Sequence, residues 1–330
     1  MKEHDVVGIG NAIVDIIGRC DDAFLAKHAC VKGSMQLVDE PAMLALYDSM
    51  GPGTEISGGS VANTMAGVAS FGGKSAFIGK TASDQVGAIF GHDIRAAGVT
   101  FTTKPAPSGS APTGRCLIFV TPDGQRTMNT FLGVSPELDH GEVDEALIKS
   151  AKIVYLEGYL FDRPEAKAAF RQAAAIAAKA GRQVALSLSD SFCVDRHRAE
   201  FLSLIKDSVD ILFANEAEIT ALYETGSFDE AARKAQADTK LAALTRSEKG
   251  SVILSAGRTI EIPCMPVSKV VDTTGAGDLY AAGFLFGVSN GLDLGKAGKL
   301  GSLAAAEIIS HIGARPEVKL ADLAKQKGLL

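Results

Sequence analysis

The chain has 330 residues, of which 46% are hydrophobic and 22% charged, and its formal net charge is −6. That size and composition fit one large α/β domain with a small appendage, and the acidic balance argues against a nucleic-acid or anionic-membrane surface. An anionic ligand gets no help from such a field and must be held by local dipoles, a few cations and a metal ion.

The opening stretch MKEHDVVGIGNAIVDII is interrupted by charges and reads as a strand, not a signal peptide. Asp5–Gly10 is short and apolar. Its Gly8-Ile9-Gly10 lacks the third glycine of a dinucleotide fingerprint, because Ile13 stands there. Val14–Cys20 and Ser34–Asp39 read as strands around a helical piece, Asp22–His28, and Pro41–Ser49 as a further helix. Gly58-Gly59-Ser60 leads into a helix of small residues, Met65–Ser70. Ser75–Gly79 is a strand, and Asp84–Ala97 a helix closed by Gly98. Further on, strands are expected at Lys152–Glu157, Gln183–Leu188, Val209–Phe213 and Lys240–Thr245. They alternate with helices at Pro164–Lys179, near Arg198–Lys206, Glu216–Tyr223 and Phe228–Ala237. Met265–Val271 reads as strand-like, followed by a small-residue helix carrying Leu279, Ala282, Gly283 and Phe286. This alternation implies a parallel sheet covered on both faces, with ligands beyond the carboxyl ends of its strands.

Residues 100–132 break the pattern. Gly114–Thr121 and Gln125–Phe131 flank Thr121-Pro122-Asp123-Gly124, a hairpin signal. With Val14–Cys20 and Ser34–Asp39 they are expected to form a sheet of about four strands. The organisation read is one 1–330 domain with a small β lid inserted from about 12–39 and 100–133, standing over the strand ends to exclude water. No run of about 18 apolar residues exists, so no membrane span is expected. The five cysteines (Cys20, Cys30, Cys116, Cys193, Cys264) are odd in number and unpaired in spacing, as free thiols in a reducing cytoplasm are. The six histidines lack ligand spacing. Gly109–Cys116 has P-loop spacing, but Arg115 and Cys116 replace its Lys and Ser/Thr. Gly79-Lys80-Thr81 ends like that motif without its first glycine. Both read as loop punctuation.

The most informative stretch is Asp272-Thr273-Thr274-Gly275-Ala276-Gly277-Asp278, a loop entering a helix. Gly275, Ala276 and Gly277 leave N–H groups unobstructed at a helix start, where four have no intrahelical partner. With the helix dipole they make an anion site, worth about 0.3–1 kcal/mol per charge when exposed and up to about 2 when partly buried. A phosphate fits it, as does the charge that develops in phosphoryl transfer. Asp278 would repel a bound anion. Its economical role is to accept a proton from a hydroxyl that attacks phosphorus. Glycine-rich turns with an acid in the first helical turn are also ordinary helix starts, so spacing alone leaves both readings open.

As a set, these seven residues resemble the C-terminal signature of the ribokinase-like (PfkB-type) carbohydrate and nucleoside kinases. Gly8–Asp15, the Gly58-Gly59-Ser60-x-x-Asn63 turn and Asn215-Glu216-Ala217-Glu218 come in that family's order, so the resemblance spans nearly the whole chain. It implies a three-layer α/β/α fold with a mainly parallel central sheet, ATP as phosphate donor, and Mg²⁺ with K⁺ as a further cation. Asp15 matches a residue that bonds sugar hydroxyls, and Gly59 and Asn63 match positions lining the same site. Asn215 and Glu218 match a pair that organises Mg²⁺ through water, and also fit an Asn-capped helix start. Thr245 and Gly250 match the turn near the ATP phosphates, although Arg246 and Ser247 stand where Leu and Gly are often found. Thr274 and Gly277 belong to the nucleotide side of the signature, and Asp272 with Thr274 to a monovalent-cation site. Ser302 sits on a late helix flanking the ATP adenine, where Asn is common. Arg126 matches the region of an arginine that reaches the transferring phosphate, a solvated hairpin charge being the plain alternative.

The branch most resembled is that of the adenosine kinases, through Gly10–Ile16, Asp22–Lys27 and Met35–Glu40. Strand alternation puts Gln36 and Val38 on one face, and in this branch such a pair cradles adenine. Phe71-Gly72-Gly73 and Asp84–Gly87 look instead like bacterial sugar kinases. The resemblance implies ATP-dependent phosphorylation of the 5′-hydroxyl of adenosine, with Asp278 as general base and Gly275, Ala276 and Gly277 as the anion hole. A ribokinase- or fructokinase-like sugar kinase is the first alternative, and a non-catalytic nucleoside-binding sensor the second. Expected partners are a small nucleoside or sugar and ATP, for a cytoplasmic monomer or homodimer.

Overall fold

In the computed structural model, which describes residues 4–330, the apolar strand runs assemble into one nine-stranded sheet. Its order is Arg258–Ile262, Ser251–Ser255, Leu241–Thr245, Ile211–Asn215, Gln183–Ser187, Ala151–Glu157, His4–Ile9, Ser75–Ile78, Thr100–Phe101. All pairings are parallel except the two at the Arg258–Ile262 edge. Successive strand residues point to opposite faces. Val6, Ile153, Ala185 and Ile211 enter one apolar cluster, and Val7, Val154, Leu186 and Leu212 the other. Burial on both faces is why these strands read as continuous apolar runs. The helices Ser60–Ser70, Ala276–Ser289 and Leu294–Ile308 supply the first cluster, and Pro164–Lys179 and Ser191–Ser208 the second. The result is the three-layer ribokinase-like α/β arrangement that the motifs imply.

A second sheet has five strands in the order Met35–Leu37, Arg126–Gly133, Thr113–Val120, Ile13–Arg19, Gly53–Gly58. Gly53–Gly58 is the strand that the sequence reading lacked. It pairs antiparallel with Ile13–Gly18.

Two other expectations change. Met265–Val271 belongs to no strand. Pro263 and Pro266 remove N–H donors that a ladder needs. The sheet edge is completed instead by the hairpin Ser251–Ser255/Arg258–Ile262. The helix near Arg198–Lys206 begins at Ser191, and non-helical His197 (φ −125°) divides it.

Small residues set how closely the site helix packs. A Cβ on Gly283 would lie 2.4 Å from the carbonyl oxygen of Leu300, so Ala276–Ser289 and Leu294–Ile308 touch backbone to backbone.

Candidate active site

The carboxyl ends of four parallel strands supply Glu157, Ser187, Asn215 and Thr245 to one cavity of about 1040 Å³. The second sheet faces the same cavity with Ile13, Asp15, Ile118, Met128, Thr130 and Leu132. Asp278 stands in its wall.

Helix Ala276–Ser289 starts at Gly275, whose φ of +78° is left-handed and whose Cβ would sit 2.9 Å from that of Ala314. Glycine meets both demands. The Ala276 N–H donates to the Thr273 carbonyl at 3.2 Å. The N–H groups of Gly277 and Asp278 have no protein acceptor among the described residues. A Cβ on Gly277 would meet nothing within 4 Å, so these donors open onto the cavity.

The Asp278 carboxylate is held from the neighbouring helix. Ser60 Oγ donates to Oδ1 at 2.6 Å and Asn63 Nδ2 to Oδ2 at 3.0 Å, while Thr64 Oγ1 donates to the Asp278 carbonyl at 3.1 Å. Burial raises the Asp278 pKa, opposed by the Ser60 and Asn63 bonds and by the Arg315 charge. Ser60 is therefore not a helix cap. The cap is Gly59, with φ +97° and no side-chain bond. A Cβ at Gly59 would meet the Asn11 carbonyl oxygen at 2.2 Å, so glycine is what lets strand end and helix start close up.

Asp15 projects into the cavity from Ile13–Arg19. The protein packed around it pushes its pKa up to about 7, with Arg315 and Arg126 opposing. Gly58 makes room for it, since a Cβ there would lie 2.5 Å from the carboxyl group.

Two residues were missed from sequence. Glu157 ends an apolar strand and is 1% exposed. It accepts from Asn11 N at 3.2 Å, Asn11 Nδ2 at 2.6 Å and Val61 N at 3.0 Å, and burial lifts its pKa to about 7. It joins the Gly10–Ala12 segment to the helix that holds Asp278. Arg315 donates to the Ser57 and Ala62 carbonyls at 2.6–2.9 Å, and burial pulls its pKa down to about 10. The only local signal for Glu157 was a charge ending a buried strand. Arg315 had none.

At the other end of the cavity, Asn215 caps helix Glu216–Leu222 in a reciprocal box with Glu218. Both Glu218 oxygens accept from Asn215, at 2.9 and 2.5 Å, and burial raises its pKa to about 7. That occupancy fits a contact to Mg²⁺ through water and leaves little room for direct ligation. Thr245, Gly250, Thr274, Gly275, Ala276, Gly277 and Ser302 line this end. Gly250 has φ +83° beside the Ile262 carbonyl. The Ser302 hydroxyl is engaged, donating to the Pro263 carbonyl at 3.2 Å and accepting from Met265 N at 2.9 Å. Arg246 pairs with Glu216 and lies 3.8 Å above the Phe228 ring.

Two placements differ from expectation. Gln36 and Val38 do share a face, but it is turned from the cavity. Gln36 Nε2 donates to Asn129 Oδ1 at 2.6 Å, and Val38 packs on the main core. Met35 and Leu37 face the cavity. Arg126 does not line the cavity. It is buried against Asp272, with Nη1 2.8 Å from Oδ2. No group of three or more His, Cys, Asp or Glu among the described residues is placed to hold a metal ion.

The chain is similar to known proteins over nearly its whole length. The family described as pfkB family carbohydrate kinase matches residues 51–320. Adenosine kinase of Saccharomyces cerevisiae is 27% identical over 331 residues, covering 93% of this chain and 95% of that protein. The structure of adenosine kinase from Sinorhizobium meliloti aligns with a TM-score of 0.92 at 53% identity, covering 98% of this chain and 99% of that one. A probable sugar kinase from Rhizobium etli CFN 42 aligns with a TM-score of 0.93 at 50% identity over 100% of both chains. The match takes in the Gly59 turn, the Asn215 helix start and the loop before Asp278, and the chain belongs to the pfkB family of carbohydrate kinases, a family of ATP-dependent phosphotransferases.

Proposed function

We propose that the chain transfers the γ-phosphoryl group of ATP to the 5′-hydroxyl of adenosine, giving AMP and ADP. The observation that carries this reading is the inner face of the second sheet. Ile13, Cys116, Ile118 and Val120, with Met128 and Leu132, form an apolar cluster separate from the two main cores. Most of it faces the cavity, together with Met35 and Leu37. A flat heteroaromatic base buries such a surface, whereas a free sugar leaves it wet.

Asp15, Gly59 and Asn63 hold the ribose. Ser60 and Asn63 orient Asp278, which takes the 5′-hydroxyl proton as its oxygen bonds the γ-phosphorus. The bond from that phosphorus to the β,γ-bridging oxygen breaks, and ADP leaves with the electron pair. The free N–H groups at Gly277 and Asp278 receive the charge on the moving phosphoryl oxygens. Asn215 and Glu218 would hold the Mg²⁺ that accompanies ATP through its waters, and the ion would supply neutralisation of phosphate charge there. Five free thiols accord with a reducing, cytoplasmic setting.

The test is a coupled ADP-release assay with ATP and Mg²⁺ against adenosine, inosine, ribose and fructose. Turnover on adenosine in preference to the sugars supports the reading. Turnover on ribose or fructose replaces it with the sugar-kinase reading, which the likeness to the Rhizobium protein favours. No ADP from any acceptor leaves a nucleoside-binding sensor as the better description.

A further inference from the structure

We propose that Arg126 is a built-in cation. Its guanidinium fills, at Asp272, the electrostatic role that the family resemblance gives to a monovalent metal ion, and it fastens the five-stranded sheet to the loop leading to Asp278. Arg126 opens the strand Arg126–Gly133, and Asp272 lies in the loop before Gly275. Both are 8% exposed, and Nη1 stands 2.8 Å from Oδ2. The same carboxylate also accepts from Thr274 N at 3.1 Å on Oδ1 and from Gly313 N at 3.2 Å on Oδ2. Two N–H donors and one cation in ion-pair contact already surround it. A metal ion bound there would be pressed against the guanidinium, and like charges repel strongly where water is excluded. The residues present therefore do not fit the ion.

The converse also holds. A buried guanidinium needs a counter-charge. None of Arg126 Nε, Nη1 and Nη2 makes a hydrogen bond among the described residues, so the ion pair of Nη1 with Asp272 Oδ2 is what answers its charge. The Arg126 charge reaches Asp15 as well and opposes the rise in its pKa. One fixed cation thus acts on Asp15, which lines the cavity, and on Asp272, in the loop before Gly275. Because Asp272 also holds Thr274 N, the pair sets the loop that delivers Gly275 to its left-handed conformation. Arg126 is in this sense a positioning residue.

The test exchanges the salt at constant ionic strength. Thermal midpoints and ADP-release rates are measured in potassium, sodium and choline chloride. The expected result is the same midpoint and the same rate in all three. A midpoint several degrees higher in potassium alone, or a rate more than about tenfold lower in choline, overturns the proposal. The thermal measurement needs no acceptor, so it decides even if adenosine is not phosphorylated, and only the rate measurement rests on the proposed reaction. Arg126→Ala is expected to lose turnover and to regain part of it with millimolar guanidinium or potassium. A folded variant that responds to neither ion contradicts the inference. Should Arg126→Ala fail to fold, Arg126→Lys keeps the charge and is expected to fold and to remain indifferent to the salt, and a potassium requirement in it counts against the inference.

Discussion

In the proposed transfer, the Asp278 carboxylate must be buried enough to be selective and charged enough to accept a proton. Its pKa lies above the usual carboxylate range because burial outweighs the Ser60, Asn63 and Arg315 contributions. A base acts only when deprotonated. So kcat/KM for adenosine should fall as pH drops through that raised value, at a higher pH than an exposed aspartate would give. A pH–rate profile measures it, and Asp278→Asn should abolish the acidic limb. The same variant should lose about 10²–10⁴-fold in turnover with adenosine affinity little changed, because only proton acceptance is removed. Calorimetric binding alongside the assay separates the two, and near-wild-type turnover would remove Asp278 from its role.

Glu157 gives a residue-scale prediction about stability. Its carboxyl has a folded pKa of about 7 against an ordinary 4.5. The folded state therefore holds a proton that the unfolded chain has released. The stabilisation is full below the ordinary value and is lost as pH rises through about 7. The thermal midpoint should decline between those limits, and Glu157→Gln should flatten that decline. Gln must also turn its NH₂ toward at least one of these N–H donors, so the variant should cost about 1–3 kcal/mol in urea titrations.

Among elements, the helix Ser60–Ser70 is the one on which the site depends, and its start is the most constrained point. Gly59→Ala forces an L side chain to a positive φ and drives a Cβ into the Asn11 carbonyl oxygen at 2.2 Å. A loss of at least about 1–2 kcal/mol is expected in urea titrations from the backbone strain alone. Turnover should fall with it, because Ser60 and Asn63 ride on that helix. An unchanged urea midpoint would show that strand end and helix start do not pack as described.

Elements differed in how much of themselves the chain advertises. Pro164–Lys179 has its bounds written locally, proline at the first position and glycine just beyond the end. Gly53–Gly58 carries one large apolar residue, Ile56, and exists because Ile13–Gly18 needs a partner, so no local pattern marks it. The first half of Ser191–Ser208 is too polar to show a helical apolar pattern, and His197 then leaves helical geometry within it. In the strand Met35–Leu37, alternation correctly separates the two faces, but it carries no information on which face meets the cavity. That depends on the pairing of Met35 with Met128. The motif residues of the site were legible because the helix-start chemistry is local. Glu157 and Arg315 were not, since their partners lie up to 146 and 258 residues away.

For the whole molecule, the central sheet fixes the nucleotide end while the small sheet brings the apolar wall and Arg126. If this sheet closes over bound acceptor, amide exchange in Met35–Leu37 and Arg126–Gly133 should slow when adenosine is added, and Ile211–Asn215 should change little. Unaltered exchange in the small sheet would mean that it does not respond to the acceptor.

The strand Met35–Leu37 is three residues long, has one neighbour, and leaves Met35 46% and Leu37 62% exposed. So short a ladder detaches at little cost. On the proposed reaction, departure of AMP is expected to depend on a segment that must push solvent aside, so that turnover inherits the friction of the medium. Sucrose should slow wild-type kcat in step with viscosity, while Asp278→Asn, held back by the proton, should not feel it.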